Sequence, residues 1–190
     1  MIAVIALTLL LFIAGCQEEP RAKPPSPTAN KVLISAKQQA EEGAIYDASY
    51  RQIPYPMGDV SEDRGACTDV VVRALRAAGK DLQALIHKDA KANPAAYHRI
   101  ERGRLDKNID HRRVPNHLAF LRRHAQAIKR DDLMPGDLVY WILDNGRDHC
   151  GIVSDAKNAR GEWLVVHNLS RCQEEDVLTR WKFVAGFRYP

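Results

Sequence analysis

The sequence predicts an α+β fold, with N-terminal helices packed on a small antiparallel sheet. Two observations carry this. Between Val32 and Ile128 the apolar residues recur at helical spacing. After Pro135-Gly136-Asp137 they shorten into aromatic and β-branched runs separated by turn residues. Helices first and strands second is the order of an α+β domain, not of alternating βαβ units.

The elements follow in chain order. Val32 to Ile45 reads as an amphipathic helix, with Val32, Ala36, Ala40, Ala44 and Ile45 near one face. Tyr46 to Asp63 is a loop, interrupted by Pro54, Pro56 and Gly58. Ala66 to Ala78 is a second helix, in which Val70, Val71, Ala74, Leu75 and Ala78 repeat at helical spacing. Gly79 is its C-terminal stop. Asp81 caps a third helix through Leu82, Leu85 and Ile86, which ends by Pro94. Arg104 to Pro115 is irregular and polar. A fourth helix opens at Asn116 and runs to about Ile128. Strands are predicted at Leu138–Leu143, His149–Ser154, Trp163–Asn168 and Trp181–Tyr189, with turns at Asn145-Gly146 and around Ala159-Arg160-Gly161.

The N-terminus has a different character. The first fifteen residues carry no charged side chain. This apolar run suits the core of an export signal better than a membrane-spanning helix. Its ending, Ile13-Ala14-Gly15-Cys16, resembles a bacterial lipobox, which implies lipidation of Cys16. Gln17, rather than Asp, follows it, so the expected location is the outer membrane, facing the periplasm. A soluble periplasmic or secreted form is the alternative. Residues 16–30 are rich in Pro, Ser, Thr and Ala and read as a tether. Residues 31–190 are the right size for one domain with one core. The expected organisation is thus a signal over 1–15, a lipidated tether over 16–30 and a domain over 31–190.

The net charge of +4 is spread along the chain. A nucleic-acid groove needs a stronger basic stripe interleaved with aromatics, so no nucleic-acid partner is expected. There is no CxxC or HExxH spacing, so no metal and no cofactor are expected. A monomer is expected.

With Cys16 set aside, Cys67, Cys150 and Cys172 remain. Three is an odd number for an oxidising compartment, so at least one thiol is left free. If Cys150 and Cys172 pair, the free thiol is Cys67. Arg64-Gly65 runs straight into the second helix, which puts Cys67 at or near its first turn. There the helix dipole favours a thiolate. His149 and His167 stand at matching parity on consecutive strands, so a hairpin places them on one face. The Cys67 helix is expected to pack on that same face. A thiol, a base and an orienting group are what cysteine catalysis requires. His167 is favoured as the orienting group, with Asn168 the alternative. Cys150 points away from His149. Asp69 reads as a first-turn acid. Asp59 either lines a cleft or caps a turn, and Arg113 either reads substrate carboxylates or joins a salt-bridge cluster.

Several segments resemble the bacterial domain family DUF1287: Cys67-Thr68-Asp69-Val70-Val71, Tyr55 to Val60, Asn108 to Asn116, Pro135 to Val139, His149 to Val153 and His167-Asn168. More remotely, their order resembles the NlpC/P60 cysteine peptidases and amidases, which have a papain-like core. That resemblance implies an NlpC/P60-like fold in which Cys67 is the nucleophile, His149 the base and His167 the third member. It also implies amide hydrolysis in peptidoglycan peptides. Two alternatives stand beside it: a non-catalytic envelope or peptidoglycan-binding lipoprotein, and a cysteine acyltransferase or thioesterase acting on lipids.

Overall fold

The computed structural model describes residues 26–100 and 103–189. The export segment and Cys16 lie outside them. The first helix, α1, spans Pro27–Glu42, so it takes in four residues that the sequence assigns to the tether. Ser26 caps it by accepting the Ala29 N–H at 3.1 Å, and Pro27 occupies the first turn, where its missing N–H costs nothing. Gly43, with φ +66°, ends it three residues before the predicted stop. Ile45 therefore leaves the helical face, is 48% exposed, and pairs in a two-residue parallel ladder: β1 (Ile45–Tyr46) against β2 (Arg64–Gly65).

The second helix, α2, is Cys67–Ala77. It closes with the Lys80 N–H on the Leu75 carbonyl and the Gly79 N–H on the Arg76 carbonyl around a left-handed Gly79. The third, α3, is Leu82–Ala92, capped by Asp81 as expected. The fourth, α4, is Val114–His124. It begins two residues early because Pro115 is tolerated in a first turn. It also ends early, because Ala125 is extended and Gln126–Ile128 forms strand β3 instead.

The remaining strands are β4 (Leu138–Ile142), β5 (Asp148–Lys157), β6 (Trp163–Asn168), β7 (Cys172–Glu175) and β8 (Lys182–Arg188). With β3 they form a six-stranded antiparallel sheet in the order β3-β8-β4-β5-β6-β7. The sequence did not predict β7, whose Cys-Gln-Glu-Glu lacks β-forming residues. It exists because β6 supplies a paired edge. Asp137, buried at the mouth of β4, accepts two bonds from Arg188 at 2.8 and 2.7 Å and one from the Met134 N–H. It ties the start of β4 to the end of β8.

The helices and the sheet enclose the larger core. Leu138, Tyr140, Cys150, Ile152, Val166 and Phe187 face Val70, Val71, Leu75, Ile86 and Leu121. The opposite face of the sheet carries a second core of Val139, Trp141, Val153 and Val165, covered by Val177, Leu178 and Trp181. Among the described residues no helix is long and apolar enough to cross a membrane.

Candidate active site

The start of α2 is held from three sides. Asn168, at the end of β6, donates from its amide to the Ala44 and Gly65 carbonyls at 3.0 and 2.9 Å. This pins the segment that enters the helix. Thr68 donates its hydroxyl to the Arg112 carbonyl. Asp69 accepts the Ala66 N–H at 2.6 Å and a fork of two bonds from Arg112, both 2.8 Å. Both side chains of this ion pair are almost fully buried. Ala66 occupies the N-cap and offers no side-chain oxygen to the first-turn N–H groups. Donors at Cys67 and Thr68 are thus left for another acceptor.

The Cys67 thiol is held at about 5, far below its ordinary 9.0. The main cause is a hydrogen bond from the Cys150 thiol. Burial works in the opposite direction. The His149 imidazole then lowers it by hydrogen bond and by charge, and the Cys150 N–H adds a further bond. Neighbours on a strand point to opposite faces, yet His149 and Cys150 both lower the Cys67 thiol. The register explains this. Pairing of β5 with β6 begins at Gly151 against His167, so residues 149 and 150 have no β6 partner.

His149 is 2% exposed and His167 fully buried. His149 Nε2 lies 2.9 Å from His167 Nδ1, and His167 Nε2 lies 2.8 Å from Glu175 Oε2. A carboxylate only accepts, so Glu175 places the His167 proton on Nε2. The lone pair on His167 Nδ1 then takes the His149 Nε2–H. His149 Nδ1 is left as the nitrogen available to the thiol. Burial first, and then the charge of His149, lower His167 to about 4, so it stays neutral as this relay requires. The Trp141 ring stacks on His149 at 6.1 Å, and the Trp181 ring meets both imidazoles edge-on at 5.5 and 5.7 Å. Gly151 allows the two strands their close approach. A Cβ there would lie 2.7 Å from Val165 Cγ1, 2.8 Å from the Val166 oxygen and 3.1 Å from His167 Cβ.

Cys67 opens into a cleft of about 760 Å³. Tyr46 lines it as well. Its phenol is raised, first by burial and then by the negative charge of Cys67, and so keeps its proton as a donor. Arg99, Arg113 and Arg147 also line the cleft. Among the described residues none of the three is in an ion pair, and Arg113 donates to the Arg99 carbonyl at 2.7 Å. Among the described residues no group of three or more His, Cys, Asp or Glu side chains is arranged to hold a metal ion.

One expectation is corrected, and the structure places the remaining candidates. His149 and His167 do share a face, but the α2 helix packs on the other one, beside Cys150. Parity fixes which side chains travel together and not which face the helices cover. Cys150 and Cys172 are both free, as is Cys67. They sit on β5 and β7, with β6 between them. Asn168 grips backbone carbonyls rather than an imidazole, whereas His167 Nδ1 lies beside His149 Nε2. Asp59 is bound to Arg73 and Arg76 and does not line the Cys67 cleft. Asp69 braces the start of the helix and does not reach the thiol groups. Arg113 does line the cleft. Glu175, Tyr46 and the position of Cys150 were missed. Glu175 was signalled only by its separation from His167 across a short turn, and the other two had no local signal.

Residues 33–189 match the family described as "Domain of unknown function (DUF1287)". The chain is also 46% identical over 164 residues to the protein of Escherichia coli (strain K12) described as "Uncharacterized protein YijF". That match covers 83% of this chain and 80% of the relative.

Proposed function

Because this chain belongs to the DUF1287 family, its chemistry has to be read from the site, and we propose that it is a cysteine-dependent amide hydrolase acting on peptidoglycan peptides by acyl-enzyme chemistry. The observation that carries this is the line from His149 through His167 to Glu175, at 2.9 and 2.8 Å, beside a Cys67 thiol that the His149 imidazole lowers. It supplies an anionic nucleophile, a base of defined tautomer and two groups that fix the tautomer.

In the proposed reaction the Cys67 thiolate attacks the amide carbonyl carbon. The developing oxyanion meets the uncapped first-turn N–H groups and the Tyr46 hydroxyl. Protonated His149 delivers a proton from Nδ1 to the departing amine, and the acyl group remains on sulfur. Neutral His149 then takes a proton from water, which attacks the thioester and regenerates the thiolate. Arg99, Arg113 and Arg147 favour a substrate bearing carboxylates, as the stem peptides of the wall do. A lipid on Cys16, with the segment before α1 as tether, would keep the domain at the outer membrane facing that polymer. The order of thiol helix, histidine strand and histidine strand supports a distant relationship to NlpC/P60 enzymes.

Incubation of purified sacculi with wild type, Cys67→Ala and His149→Ala tests the proposal. Wild type should release new amino termini and both variants should not. Equal fragment patterns from all three would overturn it.

A further inference from the structure

We propose that a pocket adjoining the Cys67 cleft is a subsite for a zwitterionic α-amino-acid group, with its ammonium on Asp110 and its carboxylate on Arg104 and Arg113. The pocket holds about 260 Å³ and is lined by Arg104, Leu105, Asp106, Ile109, Asp110 and Arg113. Arg113 lines the Cys67 cleft as well, so the two spaces adjoin. The hydrolytic cycle uses neither Asp110 nor Arg104. That the bound group belongs to a substrate rests on the reading of the cleft as a hydrolase site; the binding itself does not.

Asp110 is the residue that points to a ligand. It is 3% exposed. Its Oδ2 accepts the Asp106 N–H at 2.7 Å, while among the described residues its Oδ1 has no partner and no cation pairs with it. Asp106 differs, because its carboxylate is already engaged by the Asn108 N–H at 2.9 Å and the Tyr50 hydroxyl at 3.1 Å. A buried carboxylate without a cation is costly, and an ammonium donating to Oδ1 relieves that cost. Burial raises the Asp110 carboxyl, against the Asp106 N–H and the Arg113 charge. A bound ammonium acts with the latter two. The arginines supply the other half of the site. Among the described residues neither is in an ion pair, and Arg113 uses one terminal N–H on the Arg99 carbonyl. A guanidinium matches a carboxylate in shape and charge. Leu105 and Ile109 offer an apolar wall to the aliphatic carbons. A lone carboxylate leaves Asp110 unanswered, and a lone amine leaves both arginines unanswered. A metal ion would be repelled by the two arginines. A zwitterion satisfies both signs at once.

The test is titration of the full folded chain with L- and D-norleucine, hexanoate and pentylamine, followed by backbone 15N spectra. Norleucine carries both charged groups, hexanoate lacks the ammonium and pentylamine lacks the carboxylate. At least one norleucine enantiomer should give saturable shifts at Ile109, Asp110 and Arg113. Hexanoate and pentylamine should bind about tenfold or more weakly, since each lacks a charge-assisted bond. Asp110→Asn keeps an oxygen for the Asp106 N–H. It should weaken norleucine by about tenfold or more without weakening hexanoate. Arg104→Met, at an exposed position, should weaken norleucine and hexanoate alike. Folding of both variants is checked by their melting transitions. No saturable shift with either enantiomer, equal binding of norleucine and hexanoate, or unchanged norleucine affinity in the folded variants would each overturn the proposal. Norleucine should also inhibit cleavage of a wall peptide by the wild type; binding without that inhibition would overturn its assignment to the substrate. Binding is read without any cleavage. Failure of the pocket is therefore distinct from failure of the hydrolase, which sacculus digestion reports.

Discussion

Replacing His149 with alanine should raise the pH at which Cys67 becomes reactive. In the wild type the interval from 9.0 to about 5 represents about 5 kcal/mol of preference for the thiolate. The groups responsible are the Cys150 thiol and N–H and the His149 imidazole, acting against burial. A hydrogen bond to a charged group contributes about 1.5–3 kcal/mol, or about one to two pKa units. His149→Ala loses such a bond together with the attraction of the imidazolium, so its midpoint should rise by about two units or more. Cys150→Ala loses the bond alone and should shift by about one to two. The assay is iodoacetamide incorporation into the Gly65–Arg73 peptide across pH 4–10. Cys150 and Cys172 give little background, because burial raises both thiols, Cys172 to about 12. The absolute rate is the wrong readout. At pH 6.5 Cys67 holds about 300-fold more thiolate than an ordinary thiol, but a low-pKa thiolate is about 40- to 100-fold less nucleophilic. The net advantage falls below about tenfold, whereas the midpoint carries the full shift. Cys67 is anionic above about pH 5, so labelling should plateau by pH 6–7. A wild-type midpoint near that of an ordinary thiol, or one that His149→Ala leaves in place, would refute the reasoning.

Four further outcomes follow from the same geometry. Tyr46→Phe should reduce turnover of a wall peptide by about 100-fold, the typical loss for one oxyanion donor, while Cys67 still alkylates near its wild-type midpoint. Glu175→Leu should remove the acceptor that fixes the His167 tautomer and cut turnover by up to about 100-fold; 15N spectra of the imidazoles should show His167 protonation moving off Nε2. Gly151→Ala must push aside Val165, a backbone carbonyl and His167 Cβ. It should cost about 1–3 kcal/mol in urea denaturation. Arg112→Met strands the buried Asp69 carboxylate and should cost about 3–5 kcal/mol; a far smaller loss would show that water reaches Asp69.

The sequence by itself determined what local rules govern. Helical periodicity and Gly79 bounded α2, and so put Cys67 in a first turn. Strand alternation put His149 and His167 on one side of the sheet. The switch of pattern after Pro135-Gly136-Asp137 separated helices from strands. These are properties of consecutive residues, set by backbone geometry and side-chain period. Tertiary structure decided the rest. Which face the helices cover depends on how the whole chain closes, and it put Cys150 against the thiol. β7 forms on a pairing edge rather than on its own propensity, and it brings Glu175 to His167. Arg112 reaches Asp69, and Asn168 reaches Gly65, across separations of 43 and 103 residues. No local spacing encodes such contacts. They form because a buried charge, or a backbone carbonyl cut off from water, is costly until a partner arrives.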